Sequence, residues 1–335
     1  MVPVETTGIL EVMPVGRFAP SPTGRLHLGN LRTAVVAWLH ARGDGSRFLL
    51  RFEDLDTAAV RAEHYRSQAN DLAALGLDWD EPTINQSDDL DRYRQALDRL
   101  QSADLVYPCF CSRREIREAA SAPNRPHAGH HYPGTCADLD TAARARRSEE
   151  RPAAWRVRAE GTRVEIVDEL LGPVGIELDD FVVQRNDGTP AYHLAVVVDD
   201  AAQGVEEVVR GDDLAESACR QQLLYRLLDL APRPRYVHVP LILAANGDRL
   251  AKRHGAVSLQ DRLQRGETWA EVLGFLASTV GLGESGEPVT AAELLARFDR
   301  DRFRETLDRS PTLLPDDYLA ECRLDPSPPP VENGR

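Results

Sequence analysis

The sequence predicts an α/β fold in which helices cover a parallel sheet, interrupted by an insertion and followed by a small helical part. One observation is a strand–helix–strand–helix alternation near the start of the chain, and another is its return after a stretch rich in cysteine and arginine. At 335 residues the chain is long enough for one large or two ordinary domains. We therefore expect one sheet assembled from two separated halves.

The first half is expected over residues 13–103. Its segments are the strand "VGRFAP" (15–20), the helix "LGNLRTAVVAWLHARG" (28–43), the strand "RFLLRFED" (47–54) and a helix over 59–76. This order predicts parallel strands. Residues 1–12 are expected to be a dispensable leader that is either untranslated or disordered. The start codon is correspondingly Met13 or Met1.

Residues 104–175 depart from this pattern and are expected to form the insertion, and 176–240 the second half of the fold. The second half contains two apolar strands around a turn in "DFVVQRNDGTPAYHLAVVVDDAAQGVEEVVRG" (180–211), a helix from about Ala215 to Asp229 and the strand "YVHVPLIL" (236–243). A glycine-containing loop and helical segments are expected over 241–324, and a disordered tail over 325–335.

Composition, net charge and cysteine spacing exclude several classes of protein. No apolar run reaches the roughly 18 residues of a membrane helix and the start lacks the features of a signal peptide, so we expect a cytoplasmic protein. A net charge of −14 argues against nonspecific polyanion binding by the whole surface. Three of the five cysteines, Cys109, Cys111 and Cys136, fall within 28 residues, which indicates a metal site rather than a disulfide framework.

The stretch "GRFAPSPTGRLHLGN" (16–30) joins a strand, a Pro/Gly turn and the start of a helix. The first N–H groups of a helix are unpaired and attract anions. Gly24 and Gly29 would let phosphates and an adenine ring approach the backbone, and His27 would donate a hydrogen bond to a phosphate oxygen. A capped helix with a satisfied histidine is the alternative interpretation.

The distribution of lysine indicates a second candidate functional position, besides that of His27. Of 40 basic residues only Lys252, in the loop "RLAKRHG" (249–255), is a lysine. A compact ammonium can follow pyrophosphate as it leaves, which a planar guanidinium does less well.

Four ordered segments resemble the class I glutamyl-tRNA synthetase family. "RFAPSPTGRLHLGN" is similar to its first signature, the HIGH motif, and "RFEDLD" (51–56), "AYHLAVVVDD" (191–200) and "VVRGDDL" (208–214) resemble later segments. Lys252 falls on the ATP-contacting lysine of the second, KMSKS-like signature, although Arg249 and Ala251 depart from it. The resemblance implies the Rossmann-like, doubly wound parallel sheet of the class I catalytic domain.

The resemblance also implies site residues and their roles. Arg17 and Arg210, with Tyr192, would hold the side-chain carboxylate of glutamate, ideally through a bidentate arginine fork, and Glu53, with Ser21 nearby, the ammonium. For Arg210, a surface ion pair with Asp212 or Asp213 is the alternative. The implied glutamate site comprises Arg17, Ala19, Ser21, Glu53, Tyr192 and Arg210; the implied ATP site comprises Thr23, Gly24, His27, Gly29, Asn30 and Lys252, of which His27 and Lys252 are catalytic.

The cysteine cluster resembles the zinc site of one branch of this family. It implies one structural zinc ion held by Cys109, Cys111, Tyr132 and Cys136. His127, His130 and His131 are alternatives to Tyr132 as the fourth ligand, and three thiols without metal are the alternative to the whole site.

With only 82 residues after Arg253, no anticodon-binding domain is expected. This resembles a truncated branch of the family that activates L-glutamate with Mg-ATP without tRNA and transfers it to queuosine at the wobble position of tRNA(Asp), through either cyclopentenediol hydroxyl. We expect a monomeric ligase whose basic face for the anticodon stem-loop is Arg113, Arg114, Arg117, Arg144, Arg146 and Arg147. The alternatives are a solvated helix face for these arginines and, for the protein, a short synthetase charging tRNA(Glu) or a catalytically silent tRNA- or adenylate-binding paralogue.

Overall fold

The computed structural model describes residues 13–120, 132–247, 257–284 and 286–315. The strands of this part of the chain, numbered along it, are β1 (Val15–Phe18), β2 (Arg47–Phe52), β3 (Ile84–Asn85), β4 (Val106–Cys109), β5 (Ala154–Val157), β6 (Arg163–Asp168), β7 (Gly172–Glu177), β8 (Val182–Gln184), β9 (Glu207–Gly211), β10 (Arg235–Val239), β11 (Ile242–Ala244) and β12 (Thr312–Leu314).

The helices within the same ranges are α1 (Leu28–Gly43), α2 (Ala62–Ala74), α3 (Asp91–Ser102), α4 (Arg113–Ala120), α5 (Thr141–Glu150), α6 (Tyr192–Ala202), α7 (Ala215–Leu227), α8 (Leu259–Gln264), α9 (Trp269–Ser278), α10 (Ala291–Arg297) and α11 (Arg300–Thr306). Short 3₁₀ helices span Gln86–Asp88 and Asp212–Leu214. None of the helices in the described ranges is long and apolar enough to cross a membrane.

The main sheet contains seven strands in the order β3-β2-β1-β9-β10-β6-β7. All neighbouring pairs are parallel except β6 and β7, which form an antiparallel edge. β2 and β3 lie on one side of β1, and β9, β10, β6 and β7 lie on the other, so the sheet is doubly wound. The predicted α/β fold with a parallel Rossmann-like sheet is confirmed.

Two apolar cores cover the two faces of this sheet. In β2, Phe48 and Leu50 pack into the core formed with α1, α9 and α10, and Leu49 between them packs into the core formed with α3, α6 and α7. Successive side chains of a strand point to opposite faces, which is why a strand buried on both sides is apolar throughout.

The second half contains a helix where a strand was expected. The sequence "AYHLAVVVDD" reads as an apolar strand, but Tyr192–Ala202 form α6. Its Leu194, Val197 and Asp199 are all buried, so the run is apolar because the helix is enclosed. Periodicity cannot distinguish such a helix from a buried strand.

The strands within the predicted insertion, 104–175, divide between two sheets. β4 and β5 form a small antiparallel sheet with β8, which comes from the predicted second half. β6 and β7 extend the main sheet instead. The small sheet is therefore separate from the main sheet, and its Cys109 and Ala154 line the same cleft as Ser21 and Glu53.

Candidate active site

The carboxyl ends of five neighbouring parallel strands, β2, β1, β9, β10 and β6, meet at one edge of the main sheet. Arg17 lies near the end of β1, Glu53 directly follows β2, and Arg210 lies near the end of β9. Open α/β sheets bind their ligands outside this edge. We therefore take this edge as the candidate active site.

The turn between β1 and α1 is held in place by Gln68 of α2. The side-chain amide of Gln68 donates to the backbone oxygens of Ser21 (3.0 Å) and Gly24 (2.7 Å). A hydrogen bond of 2.8 Å from Thr23 N to Ser21 O closes the turn. Ala19 lies in the same segment, so the predicted residues of this turn share one fixed backbone.

His27 is the N-cap residue of α1. Its Nδ1 accepts a hydrogen bond of 3.3 Å from Asn30 N, so in the neutral imidazole the ring hydrogen lies on Nε2. A Cβ on Gly29 would lie 3.0 Å from His27 Cε1 and 3.1 Å from Nδ1. Glycine at this position therefore makes room for the imidazole, which places an N–H donor at the positive end of a 16-residue helix.

Lys252 lies outside the described residues, but the segments on both sides of its loop contact the start of α1. Leu28 N donates to Val257 O at 3.0 Å. Ile242 of β11 would lie 4.0 Å from a Cβ on Gly29. The described segments that flank this loop therefore lie beside the predicted ATP site.

Arg210 is buried, with 6% of its surface exposed, so it is not the surface ion pair of the alternative interpretation. Its Nε donates to His238 Nε2 (3.0 Å), Nη1 donates to Gln221 Oε1 (2.8 Å) and Tyr192 OH (3.2 Å), and Nη2 donates to Leu214 O (3.2 Å).

These contacts determine what Arg210 can offer a ligand. A guanidinium has five N–H groups, and the contacts to described residues engage four of them. The fifth, on Nη2, and the hydroxyl hydrogen of Tyr192 are the donors left for a carboxylate. Tyr192 is 38% exposed. The arrangement thus offers a donor pair from two side chains in place of the bidentate arginine fork that the sequence favoured.

A buried ionic network lies beneath Glu53. Arg17 Nε is 3.3 Å and Arg51 Nη1 is 2.7 Å from the same oxygen, Asp200 Oδ1. Arg51 Nη2 lies 3.7 Å from Glu53 Oε1, and its Nε lies 3.8 Å from Asp199 Oδ2. Arg51, whose side chain is fully buried, therefore balances three carboxylates at once and fixes Arg17 through Asp200.

The ionisation of Glu53 is perturbed. Burial raises the pKa of this carboxyl to about 7, Arg51 and Arg17 oppose that rise, and Asp200 and Asp199 add to it. An opposite charge placed beside a carboxyl favours its ionised form. Glu53 is therefore a candidate partner for a cation.

A cleft of about 880 Å³ runs from this site to the small sheet. Ser21, Glu53 and Tyr192 line one end of it, and Cys111 and Arg113 line the other. The volume is in the range of cavities that hold a small ligand or cofactor. The cleft connects the glutamate-type site with the cysteine-bearing layer.

Cys109, Cys111 and Cys136 come together at the end of β4, with their sulfur atoms within 4.8 Å of one another. Cys111 Sγ lies 3.5 Å from Cys136 Sγ, and the phenol oxygen of Tyr132 lies 3.3 Å from Cys109 Sγ and 3.9 Å from Cys111 Sγ. Thiolates around a tetrahedral zinc ion are ~3.8 Å apart, given Zn–S bonds of ~2.3 Å.

The three thiols therefore fit a zinc ion, and Tyr132 OH lies beside two of them. The phenol oxygen also accepts a hydrogen bond of 2.9 Å from Cys136 N, which ties it to the cluster. The alternative ligands His127, His130 and His131 lie outside the described residues.

Several buried residues of the site are not among those that the sequence predicts. From sequence, Arg51 and His238 are only parts of strands, and Asp199 and Asp200 only parts of a family segment. Each is a charged or polar residue inside an otherwise apolar run, which is the available signal. Asp168 is the last residue of β6, whose side chains alternate between exposed and buried, so it does not stand inside an apolar run.

Known proteins were compared with the chain. A sequence model described as tRNA synthetases class I (E and Q), catalytic domain, matches residues 14–285. A protein of Nocardia farcinica named glutamyl-Q tRNA(Asp) synthetase is 54% identical over 92% of this chain and 96% of its own. A protein of the same name from Symbiobacterium thermophilum is 44% identical over 92% of this chain and 98% of its own.

A solved structure has the same fold. The glutamate–tRNA ligase of Elizabethkingia meningosepticum superposes with a TM-score of 0.75 at 24% identity, over 93% of this chain and 69% of the ligase.

Proposed function

The chain belongs to the class I tRNA synthetases for glutamate and glutamine, and from this premise we propose that it activates L-glutamate with ATP and transfers it to queuosine at the wobble position of tRNA(Asp). The observation that supports this function best is the relative of 54% identity, named glutamyl-Q tRNA(Asp) synthetase, of which the chain covers 96%. Activation is proposed to need no tRNA.

In the first step the α-carboxylate of glutamate attacks the α-phosphorus of Mg-ATP in line. A carboxylate-oxygen–phosphorus bond forms, the α–β phosphoanhydride bond breaks, and pyrophosphate leaves. His27 Nε2–H and the start of α1 would stabilise charge on the phosphate oxygens, and Lys252 would follow the leaving pyrophosphate. Thr23, Gly24, Gly29 and Asn30 would form the surrounding backbone site.

The substrate is held at both ends. The side-chain carboxylate would accept from Tyr192 O–H and Arg210 Nη2–H, with Arg17 adding positive charge nearby. The α-ammonium would lie beside Glu53, with Ser21 and Ala19 in the adjoining turn. Because Glu53 ionises near neutral pH, the arriving ammonium would favour its carboxylate form.

In the second step a hydroxyl of the queuosine cyclopentenediol attacks the carbonyl carbon of the glutamyl-adenylate. The new ester bond forms, the mixed anhydride bond breaks, AMP leaves with the electron pair, and the hydroxyl proton passes to the departing phosphate or to solvent. The cleft between the adenylate site and the small sheet offers room for the modified base. No protein nucleophile is needed, so binding and orientation supply the catalysis.

Zinc would bind to Cys109, Cys111 and Cys136 with Tyr132 as the fourth ligand. A closed site of this kind supplies folding energy, not reaction chemistry. It would fix the small sheet, whose own apolar cluster is limited to a few residues around the cysteines.

The tRNA backbone would follow the basic face of the inserted layer. α5 has no buried residue and presents Arg144, Arg146 and Arg147, while Arg113 of α4 lines the cleft. A helix without a buried apolar face is not packed against the core of the protein, so its surface is available to a partner or to solvent. Arg114 and Arg117 of α4 complete the proposed surface, which contrasts with the acidic remainder of the chain.

Glutamate-dependent exchange of pyrophosphate into ATP, measured without tRNA, tests the first step. We expect exchange in the wild type and its collapse in Lys252→Ala. Transfer is then measured with tRNA(Asp) that contains or lacks queuosine, and with tRNA(Glu). Exchange that requires tRNA(Glu) would favour a short synthetase, and its absence under every condition would favour a silent binding protein.

A further inference from the structure

The substrate arginine of the proposed site is held from behind by a buried histidine and an aspartate. Arg210 and His238 are register partners on the neighbouring parallel strands β9 and β10, so their side chains stand next to each other on one face of the sheet. Arg210 Nε donates to His238 Nε2 at 3.0 Å, and His238 Nδ1 lies 2.6 Å from Asp168 Oδ2 at the end of β6. Asp168 and His238 are at most 1% exposed.

The direction of each hydrogen bond is determined by Arg210. A guanidinium N–H can only donate, so His238 Nε2 must accept. The imidazole is then neutral, its hydrogen lies on Nδ1, and Nδ1 donates to Asp168. A protonated imidazole, or the other tautomer, would place two N–H groups against each other.

Asp168 is itself fixed. Its Oδ1 accepts from the backbone N–H groups of Leu170 (3.0 Å) and Leu171 (2.9 Å), and its Oδ2 accepts from His238 N at 3.1 Å. The carboxylate cannot rotate away without losing these bonds. It therefore selects one tautomer and one orientation of His238.

The hydrogen bond at Nε affects the orientation of the Arg210 guanidinium differently from hydrogen bonds at Nη1 and Nη2. It restrains rotation about the Cδ–Nε bond and so sets the plane in which both Nη atoms lie. The plane determines whether Nη1 reaches Tyr192 and whether the fifth N–H points at the ligand.

We propose that His238 and Asp168 are positioning residues that orient Arg210 toward the side-chain carboxylate of the amino acid substrate. This inference rests on the proposed function of the same site. Neither residue would touch the substrate. Their loss would act on amino acid recognition and leave ATP binding intact.

Two substitutions of His238 separate this role from a general packing role. His238→Gln can place Oε1 near the position of Nε2 and keep an acceptor for Arg210. His238→Asn keeps a polar group near Asp168 but is too short to reach Arg210. His40→Gln is the matched control: His40 is also buried, and its Nδ1 lies 3.4 Å from Glu207 Oε1, at the opposite end of β9 from Arg210.

The assay is tRNA-independent ATP–pyrophosphate exchange, with KM measured separately for glutamate and ATP and with glutamine as the competing substrate. We expect His238→Asn to raise the KM for glutamate ~10–100-fold and to reduce the preference for glutamate over glutamine, with the KM for ATP unchanged. His238→Gln should recover most of the loss, and His40→Gln should alter neither KM.

Three results would overturn the inference while wild-type exchange is present: equal losses in both His238 variants, a parallel rise in the KM for ATP, or an unchanged glutamate KM in His238→Asn. Absence of exchange in the folded wild type would instead contradict the proposed function. If His238→Asn does not fold, Asp168→Asn serves in its place, with an expected smaller rise in the KM for glutamate because the wrong tautomer becomes accessible.

Discussion

Glu53→Gln is expected to stabilise the free protein at alkaline pH and to abolish glutamate binding. The carboxyl of Glu53 ionises at about 7 in the folded chain and at 4.5 when unperturbed. Its pKa is raised on folding, so the group imposes no penalty below pH 4.5. The penalty grows as pH rises toward 7 and is constant above that.

The size of the penalty follows from the two pKa values. Each pKa step corresponds to ~1.4 kcal/mol, so a rise from 4.5 to about 7 makes the ionised carboxylate cost about 3 kcal/mol at pH 8. Glutamine is neutral at every pH and removes this cost. Given ~2.1 cal/mol/K of unfolding entropy per residue, the variant should melt ~4 °C higher at pH 8 and only ~1 °C higher at pH 5.

Thermal unfolding at pH 5 and pH 8, with and without glutamate, provides the measurement. Saturating glutamate should raise the Tm of the wild type and leave that of Glu53→Gln unchanged, because the variant has lost the partner of the ammonium. Glu207→Gln is the control of opposite sign: burial acts to raise the pKa of Glu207, but His40 and Arg300 lower it overall. That variant should melt lower at pH 8. An equal gain for Glu53→Gln at both pH values would refute the reasoning.

Three further changes test other parts of the site. Gly29→Ala should lower kcat of pyrophosphate exchange at least ~10-fold without unfolding, because its Cβ would lie 3.0 Å from the His27 ring; normal kcat would contradict the role of that contact. Cys136→Ser should lose bound zinc by elemental analysis and melt at lower temperature, whereas Cys219→Ser should keep the metal. Tyr192→Phe removes one proposed donor and should raise the KM for glutamate ~10-fold or more with the KM for ATP unchanged.

The order and type of most elements near the start of the chain could be predicted because periodicity and end signals agree there. The helix expected over 28–43 begins and ends at those residues, since His27 caps it and Gly43 is its last residue. In α6 periodicity and end signals do not agree, and its apolar run resembles a strand. The helix is apolar because it is buried on every side, and that burial depends on the whole fold.

The motif residues of the candidate site could be proposed from sequence, but their supporting contacts could not. Asp168 and Arg210 are 42 residues apart and are linked through His238 only because β10 lies between β9 and β6 in the sheet. Strand order is a long-range property that no local pattern specifies. The same holds for Arg51, whose partner Asp200 lies on a helix 149 residues later.

The free site explains in physical terms why glutamate would be preferred to glutamine. The contacts that hold Arg210 leave two donors for a ligand, one on Nη2 and one on the Tyr192 hydroxyl. A carboxylate can accept both, whereas the amide of glutamine would turn its NH₂ group toward one of them. Because an unmatched buried donor costs more than a hydrogen bond gains, discrimination arises from the arrangement of donors and does not require a larger positive charge. It depends on the guanidinium plane, and so on the hydrogen bond from Arg210 Nε to His238.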